Sequence, residues 1–515
     1  MTKKTFNFLI PLSFIVFVIW TIPIGEIFEF DSDEGINIMK SLLYSEGFLL
    51  YKDIWSDQPP LFTFMLAWWL KIWGYSIFAV RFLVLLFSTL LVWCFYQILR
   101  LRLGIIPAIA GVLILVNSHY YVRLSVSAMI GIPCIALAMV AIYFLTLGQD
   151  QEQNLASKNS DNNYQIYLLL SGFFLALSLQ TKLFTIFIVP LLACQILQFN
   201  FPQNRSQITN LIKWLLTLGA TYLCTGIIFG SLQFEQLLQS HIKSRQVEEL
   251  FDGNYYTFGR LLDHMFGQDY LFYILALLGT IIIFTTKKRV GILPFAWLVS
   301  VCLLFANHKP VWYHYYPLIA IPLAWLAAYA VAAMVEFCQQ WHLGNLHHTS
   351  IKEQQKSPLY LIRKTILPLL IVLLSLGATG LEMYRFRNDR ADIRRDIMST
   401  DNQERRKVLN LISQHKDQTQ WMFADKAIYA FYGGLKVPPE TAVLSLKRVL
   451  SGQLTYGQMV DIIETYQPEQ IVLSKFKDKI EEHPQGKQYL TTHYIKVYEN
   501  EAIGVDYYLL KELVK

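Results

Sequence analysis

The sequence predicts a polytopic α-helical membrane protein with a soluble α/β domain at its C-terminal end. The 515-residue chain is 54% hydrophobic and only 16% charged, whereas soluble proteins carry about 25% charged residues. Its mean hydropathy is +0.36. Charge is concentrated after residue 384, where 20 of the 44 Lys and Arg residues and 18 of the 38 Asp and Glu residues lie. These observations exclude a single soluble globule and an intrinsically disordered chain.

Apolar runs in the first 384 residues are candidates for membrane spans, since a spanning helix needs about 20 apolar residues. The eleven runs cover residues 7–24, 77–99, 105–118, 126–147, 166–181, 183–198, 211–231, 270–286, 291–306, 315–336 and 365–384. The stretch 166–198 is too long for one upright helix and is interrupted by Lys182, which predicts two helices joined by a tight turn. The first run resembles a signal peptide but is not followed by a small-residue cleavage site, so we interpret it as an uncleaved span.

The distribution of basic residues predicts the orientation in the cell membrane. Clusters of Lys and Arg alternate with acidic or neutral loops, and such clusters favour the cytoplasmic side. With a cytoplasmic N-terminus, the outer segments are 25–76, 119–125, 232–269, 307–314 and the tail 385–515. Arginines just after residue 384 oppose this assignment, but long domains can override the charge bias. We therefore divide the chain into a membrane domain (1–384) and an extracytoplasmic domain (385–515).

The tail has the pattern of a small α/β domain. We expect an amphipathic helix over 385–416, strands at 421–423 and 470–474, helices from 425 and over 455–466, and a hairpin formed by 494–498 and 505–510. The tail contains no Gly-rich phosphate loop and no nucleophile motif, which favours a structural or acceptor-contacting role.

Two other classes of site receive no support from the sequence. The six cysteines lie in or beside apolar runs and form no CxxC pair, so neither a disulfide framework nor a zinc site is indicated. The net charge of +6 is spread over the clusters that flank the spans, so nucleic-acid binding is not indicated either.

The first outer loop, residues 25–76, carries the most informative cluster of acids. Asp31, Asp33 and Glu34 follow the first span directly, and Asp57 comes later. Ionisable groups cost about 2.5–3.5 kcal/mol at mid-bilayer and tend to mark functional sites near membranes. An ordinary solvated acidic loop would have a similar composition. The pair Pro59-Pro60 and four tryptophans favour a built site, because they define where the chain re-enters the membrane.

These residues resemble a known family. Asp33-Glu34, Gly47 and residues 57–61 (Asp-Gln-Pro-Pro-Leu) are similar to the first outer loop of the dolichyl-phosphate-mannose–protein mannosyltransferase superfamily, which includes the bacterial aminoarabinose transferases and has the GT-C fold. The lysine turn at 181–183 and the stretch 307–318 resemble further parts of that family. The resemblance implies an inverting membrane glycosyltransferase. It would move a sugar from a polyprenyl phosphate to an acceptor hydroxyl of a protein, lipid or glycan outside the cytoplasm.

The resemblance also implies roles for individual residues. Asp33 matches the family's aspartate and would act as the general base, with Asp31 and Glu34 raising its basicity. The leaving phosphate requires cations, for which the candidates are Lys182, His308, Lys309 and His314. Candidate substrate contacts are Asp57, Gln58, Arg123, Arg260 and Tyr315. The alternative is that Lys182 snorkels to the interface and that the histidines and tyrosines are ordinary interfacial residues.

The chain departs from the family pattern at two positions. Many relatives have Lys or His where this chain has Gln58, and relatives often carry an acid where Gly131 lies. We therefore expect the chain to depend on its first-loop acids alone. Asp31 and Asp33 form a DxD pattern that could hold a divalent metal, but such a short pattern is common by chance, and we predict no obligatory metal or other cofactor.

Two other functions remain open from the sequence. A transporter or flippase of lipid-linked sugars would show internal repeats and paired broken helices, and no convincing repeat is present. A non-catalytic component of an envelope-assembly machine is also compatible with the composition, although the clustered acids argue against it.

The predicted orientation can be tested with a reporter fused after Lys515. Alkaline phosphatase, which folds only outside the cytoplasm, should be active in this fusion, and a fluorescent protein that folds only inside should be dark. The opposite result would show that the tail is cytoplasmic. Fusions truncated within 287–290 serve as the control for the cytoplasmic side.

Overall fold

The structure is a computed structural model of the whole chain. It describes residues 3–154, 160–198, 205–232, 236, 257–286, 291–308, 310–344, 384, 391, 394–395 and 398–513. The predicted span 365–384 lies outside the described residues except for Tyr384, and so does most of the predicted helical segment 385–399.

The membrane domain is helical over its described length. Its helices are α1 (Lys3–Thr21), α2 (Ser32–Ser45), α3 (Leu61–Trp73), α4 (Ile77–Leu103), α5 (Ile105–Val116), α6 (His119–Leu124), α7 (Gly131–Asn154), α8 (Ser160–Thr181), α9 (Ile188–Gln198), α10 (Arg205–Ile228), α11 (Phe258–Thr286), α12 (Ile292–Asn307) and α13 (Pro317–Gly344). Short 3₁₀ helices lie at Leu183–Phe187 and Tyr313–Tyr315. Among the described residues, five segments are long and apolar enough to cross a bilayer: 77–103, 131–152, 163–181, 207–228 and 313–339. The other predicted runs before residue 365 overlap shorter apolar helices.

Small residues let the long helices approach one another closely. Helix α7 packs on α4 and α8, and α13 packs on α5, α11 and α12. A Cβ atom at Gly279 of α11 would lie 1.9 Å from the carbonyl oxygen of Leu326 on α13. Lipid tails are as apolar as the side chains, so association of helices in a membrane depends on such close backbone packing.

The predicted turn at Lys182 is confirmed. Helix α8 ends at Thr181, and Lys182 has an extended backbone with φ −159° and ψ 134° before the 3₁₀ helix begins. The Sγ of Cys134 on α7 donates to the Lys182 carbonyl oxygen at 3.2 Å. The lysine is therefore held at the end of the bundle where α7 begins and α8 ends.

The loop after α1 covers this same end of the bundle. Its helix α2 begins at Ser32 because the Asp31 carboxylate accepts the backbone N–H of Asp33 at 2.9 Å, which is a typical N-cap. The Asn37 side chain donates to the Ala128 carbonyl oxygen just before α7, at 3.0 Å. Helix α2 also packs along α3, so it lies across the bundle end rather than projecting from it.

The tail forms the predicted α/β domain. Its elements are α14 (Thr400–Gln414), β1 (Met422–Ala424), α15 (Ile428–Gly433), α16 (Leu446–Leu450), α17 (Tyr456–Tyr466), β2 (Gln470–Leu473), α18 (Lys477–Glu481), α19 (Pro484–His493), β3 (Tyr494–Asn500) and β4 (Val505–Leu510). The sheet order is β1-β2-β4-β3, with β1 parallel to β2 and the other pairs antiparallel. The expected hairpin of β3 and β4 is confirmed.

The α/β domain docks on α2 through the edge where β1 and β2 end. Helix α15 packs on α2, and a Cβ atom at Gly35 would lie 2.7 Å from the backbone nitrogen of Ile428. Around this contact, three lysines of the domain pair with acids of the first loop. These pairs are Lys426 with Glu29, Lys436 with Glu46 and Lys447 with Asp57, each at 3.2 Å. The domain therefore lies over the first loop, on the same end of the bundle as Lys182.

Substitution of Gly35 should loosen this docking. Gly35→Ala places a methyl group against the Ile428 backbone, which cannot rotate away, and overpacking of this kind costs about 1–3 kcal/mol. We expect faster proteolytic cleavage between the two domains and a lower unfolding temperature in detergent. Gly25→Ala is the matched control, because no atom lies within 4 Å of a Cβ atom at that exposed glycine. Equal protease resistance of the two variants would contradict the docking contact.

Candidate active site

A buried ion pair holds the first loop in place. Glu34, on the first turn of α2, and Arg81, on the second turn of α4, are both 0% exposed. The Arg81 guanidinium donates to the Glu34 carboxylate from Nη2 at 2.7 Å and from Nε at 3.0 Å. The same carboxylate accepts the backbone N–H groups of Phe30 and Ala128, each at 3.0 Å. Four donors thus occupy the Glu34 oxygens, which leaves no room for a substrate proton.

Arg81 also binds the backbone of the loop. Its Nη1 donates to the carbonyl oxygens of Ile24 and Ile27 at 2.6 and 2.7 Å, and its Nη2 donates to that of Phe28 at 3.3 Å. Buried polar groups are costly unless they are hydrogen-bonded, and here the guanidinium satisfies three carbonyl groups of an irregular segment. The ion pair therefore determines the path of the chain from α1 into α2.

The Asp31 carboxylate is occupied as well. Besides capping α2, it accepts a hydrogen bond from the Tyr313 hydroxyl, and its Oδ2 lies 3.7 Å from Nδ1 of His314. Burial raises the pKa of Asp31, but the His314 side chain and the Tyr313 hydroxyl outweigh burial and lower the pKa to about 2. Asp31 is thus ionised at neutral pH, and it ties α2 to the 3₁₀ helix 313–315.

Asp33 differs from Asp31 and Glu34. No described residue donates a hydrogen bond or a salt bridge to its side chain, which is only partly buried. Burial, followed by the charge of Asp31, raises the pKa of Asp33, while His314, Lys475 and Lys182 act in the opposite direction. Asp33 is thus a free carboxylate of increased basicity, which is the form that a general base requires.

Lys182 is a buried cation without a counter-ion in the described part of the chain. Its side chain is 7% exposed, and its Nζ lies 4.3 Å from the ring centroid of Phe184 and 5.1 Å from that of Tyr315. Burial lowers the pKa of Lys182 to about 8, against the opposing charges of Asp33 and Asp57. The ammonium group is therefore still largely protonated at pH 7, and it is within electrostatic range of Asp33.

Lys40 is a second buried lysine without a partner among the described residues, and our sequence analysis missed it. It is 3% exposed and lies seven residues after Asp33, so both side chains are on the same face of α2. Its ammonium group makes no hydrogen bond or ion pair with a described residue. Burial lowers the pKa of Lys40, while the charges of Asp57 and Asp33 oppose the shift. The seven-residue spacing from Asp33 was the signal that could have revealed it.

Lys40 and Lys182 differ from the other buried ionisable side chains in having no partner among the described residues. Seven charged side chains are buried among the described residues: Glu34, Lys40, Arg81, Lys182, Asp425, Arg448 and Asp506. All but Lys40 and Lys182 have hydrogen-bonding or ionic partners. Unpaired buried charge is unfavourable, so these two amines indicate a site for an anionic ligand.

Most of the remaining predicted site residues contact the first loop, the α/β domain or the segment beside Lys182. Asp57 pairs with Lys447, and the carbonyl oxygen of Gln58 accepts the Tyr51 hydroxyl at 2.8 Å. The His308 ring lies 6.2 Å from that of Tyr315, beside Lys182. Arg123 donates to the Phe30 carbonyl oxygen at 2.9 Å, Arg260 is exposed on the first turn of α11, and Lys309 lies outside the described residues.

No metal site is evident in the described part of the chain. Groups of three or more His, Cys, Asp or Glu side chains that could hold an ion do not occur among those residues. Of the DxD pattern, the Asp31 oxygens are already bound by protein donors.

Comparison with known proteins agrees with this geometry. Residues 57–228 match the model of the family described as dolichyl-phosphate-mannose-protein mannosyltransferase. The crystal structure of ArnT from Cupriavidus metallidurans bound to undecaprenyl phosphate superposes with a TM-score of 0.65 at 11% identity, covering 98% of each chain. The Archaeoglobus fulgidus oligosaccharyltransferase tethered to an acceptor peptide gives 0.55 at 10% identity, covering 99% of this chain and 75% of that one. The chain has the GT-C glycosyltransferase fold.

This finding confirms the resemblance deduced from the loop motifs. No curated protein sequence matches the chain significantly. These comparisons show the fold, and the apolar helices indicate an integral membrane protein.

Removing the Glu34 charge should destabilise the membrane domain. Glu34→Gln leaves the Arg81 guanidinium buried without a counter-charge, and breaking a buried pair costs about 3–5 kcal/mol. We expect a clearly lower unfolding temperature in detergent and reduced yield of folded protein. Lys407→Ala is the control, because its pair with Glu404 lies at the surface with Lys407 61% exposed, and such pairs contribute less than about 1 kcal/mol. An unchanged unfolding temperature for Glu34→Gln would rule out the structural role of the pair.

Proposed function

We propose that the chain is an inverting membrane glycosyltransferase that moves a sugar from a polyprenyl-phosphate donor to an acceptor hydroxyl on the extracytoplasmic face. One observation carries the proposal: no described residue donates a hydrogen bond to the Asp33 carboxylate, and Lys182 is a buried lysine without a counter-ion in the described part of the chain. The two side chains influence each other electrostatically, although they come from separate stretches of the chain. A base and a phosphate-binding cation are the two charged groups that this reaction needs.

The chemistry assigns each group a step. The acceptor oxygen attacks C1 of the sugar, the bond between C1 and the phosphate oxygen breaks, and its electron pair leaves with the prenyl phosphate. Asp33 accepts the acceptor proton as the new bond forms, which is typically worth about 10²–10⁴-fold in rate. Lys182 stabilises the charge that develops on the leaving phosphate. Neither step requires a metal ion or other cofactor.

The other first-loop acids have positioning roles in this proposal. We expected Asp31 and Glu34 to act beside Asp33, but their carboxylates are bound by Tyr313, His314, Arg81 and backbone amides. Glu34 places α2 against the bundle, and Asp31 caps α2 and raises the pKa of Asp33 through its charge. In this proposal, His308 lies near Lys182, the residue that binds the phosphate. His314 lies near Asp33, the general base.

The α/β domain covers the acceptor side of the site. Lys475 lies two residues after β2 and lines a small cavity together with Ser32 and Asp425, next to the N-terminus of α2. Asp57 pairs with Lys447 of this domain, and Gln58 follows it in the chain, which supports a role for both in contacting the acceptor. The acceptor is a protein, a lipid or a glycan that reaches the outer leaflet.

Two features of similar proteins agree with this proposal. The ArnT structure holds undecaprenyl phosphate, which is a prenyl phosphate of the class proposed for the donor. The archaeal oligosaccharyltransferase structure holds an acceptor peptide, which shows that the same fold can accommodate donor-type and acceptor-type molecules in different proteins.

Asp33→Asn tests the proposal. The substitution keeps the side-chain shape but removes the base, so sugar transfer in membranes supplied with a mixture of labelled polyprenyl-phosphate sugars should fall by about 10²–10⁴-fold. Binding of undecaprenyl phosphate and the unfolding temperature should be retained. Asp53→Asn is the matched control in the same loop, since Asp53 only accepts the Leu49 backbone N–H at 2.8 Å. Transfer by Asp33→Asn within threefold of the control would favour a transporter or a scaffold over the enzyme.

A further inference from the structure

Lys182 contacts two aromatic rings where most buried amines contact an acid. Its Nζ lies over the Phe184 ring, 4.3 Å from the centroid, and 5.1 Å from the centroid of the Tyr315 ring. The face of an aromatic ring is negative, and it attracts an ammonium group within about 6 Å of the centroid. The Lys182 side chain is buried, and burial disfavours its charged form. The two rings are therefore direct contacts that offset part of this cost.

The two rings form a corner beside the ammonium group. Their centroids are 4.4 Å apart, and the ring planes are tilted by 80°. The three distances between the two centroids and Nζ of Lys182 are thus similar, which places both rings on the same side of the amine. A carboxylate partner would neutralise the amine, whereas a ring holds it without adding a net charge. This arrangement favours a fixed cation that keeps its positive charge for an anionic ligand.

The backbone around Phe184 is fixed by a buried cluster of hydroxyl and thiol groups. The Cys134 Sγ donates to the Lys182 carbonyl oxygen at 3.2 Å. The Thr185 hydroxyl lies 2.8 Å from the Ser178 hydroxyl, which donates to the Cys134 carbonyl oxygen at 2.8 Å. All three side chains of the cluster are buried. Phe184 lies between the two anchored residues, so its ring is held next to the amine.

Tyr315 reaches the same amine from a distant part of the chain. It lies in the 3₁₀ helix before α13 and is 7% exposed. Its ring stacks on that of Phe305 with centroids 5.6 Å apart, and the His308 ring lies 6.2 Å away. The position of the Tyr315 ring is therefore set by packing against α12. The corner around the amine exists because the end of α8 and the segment 313–315 meet in the fold.

We propose that Phe184 and Tyr315 are positioning residues for Lys182, whose rings hold its ammonium group in place and in the charged form for the donor phosphate. This inference rests on the proposed function for the identity of the anion. The contact between the rings and the amine is independent of that function.

The first experiment measures the protonation of Lys182 without a lipid. Full-length protein with carbon-13 at the Cε of its lysines is titrated by NMR in detergent, and Lys182→Met assigns the signal. Phe184→Leu removes a ring face from the charged form, so the pKa of Lys182, about 8 in the wild type, should fall by roughly one unit. Phe184→Tyr should retain the wild-type value. Phe187→Leu is the matched control, because Phe187 lies in the same 3₁₀ helix but contacts the Trp297 ring at 5.7 Å.

Two substitutions of Tyr315 separate its ring from its hydroxyl. Tyr315→Phe keeps the ring and should leave the pKa of Lys182 unchanged, whereas Tyr315→Leu removes the ring and should lower it. This pair also tests the contact if Phe184→Leu does not fold. Every variant retains the other ionisable groups around the amine, so differences between variants report the rings. These groups are His308, Cys134, Asp33, Asp57 and Lys447.

The second experiment links the rings to phosphate binding. Full-length protein in nanodiscs is titrated with the monomethyl ester of undecaprenyl phosphate, whose single negative charge is constant between pH 6 and pH 9. If the pKa of Lys182 falls from about 8 by one unit, Phe184→Leu should weaken binding by less than about twofold at pH 6. At pH 8 to 9 the loss should be roughly five- to tenfold, because less of the amine is protonated. Phe187→Leu should show no such dependence on pH.

The outcomes separate this inference from the proposed function. An unchanged pKa of Lys182 in both leucine variants of the ring residues would overturn the role of the rings, and so would an equal fall in Phe187→Leu. A loss of binding by Phe184→Leu that is the same at every pH would show a packing role only and overturn it too. If the pKa falls as expected but wild-type protein does not bind the lipid, the proposed function fails, and of this inference only the assignment to phosphate falls with it.

Discussion

The buried ion pair of Glu34 and Arg81 is the interaction on which the rest of the site depends. It joins the start of α2 to the start of α4, and it also binds the irregular backbone between α1 and α2. A charged pair is expensive to desolvate and gains from burial only when every donor and acceptor is satisfied, as is the case here. The pair thereby positions α2 across the bundle end, with Asp33 and Lys40 on one face. Without it, neither side chain would have a defined relation to Lys182.

Three acids within four residues illustrate how environment divides chemical roles. Glu34 is used for structure, Asp31 is used to cap α2 and to bind Tyr313 and His314, and Asp33 alone keeps an unoccupied carboxylate. The α/β domain completes this arrangement by covering α2 and by neutralising acids at the margin of the loop. Its parallel strands end at this interface, which is the edge where open α/β sheets commonly contact ligands. The site is thus shared between a membrane domain and a domain outside it.

The sequence was informative wherever the signal is local. Apolar runs located the described helices of the membrane domain except α2, α3 and α6, Lys182 located the break in 166–198, and the late strand-like runs located β3 and β4. It was less informative about α2, because the sequence does not show that α15 packs on this helix. The sequence also predicted that Glu34 assists the general base Asp33. Proximity in sequence does not reveal that the Glu34 carboxylate is already bound by Arg81.

Hydropathy and the family motifs by themselves determined the class of protein, the helical segments, the α/β tail and the identity of Asp33 and Lys182 as candidates, since each of these depends on residues close together in the chain. Tertiary structure alone decided which acid is free and which amines are unpaired. Glu34 is bound by an arginine 47 positions away, and Lys40 and Lys182 are buried because of the way their segments pack in the fold. The state of a buried charge depends on its partners in space, and a linear pattern does not specify them.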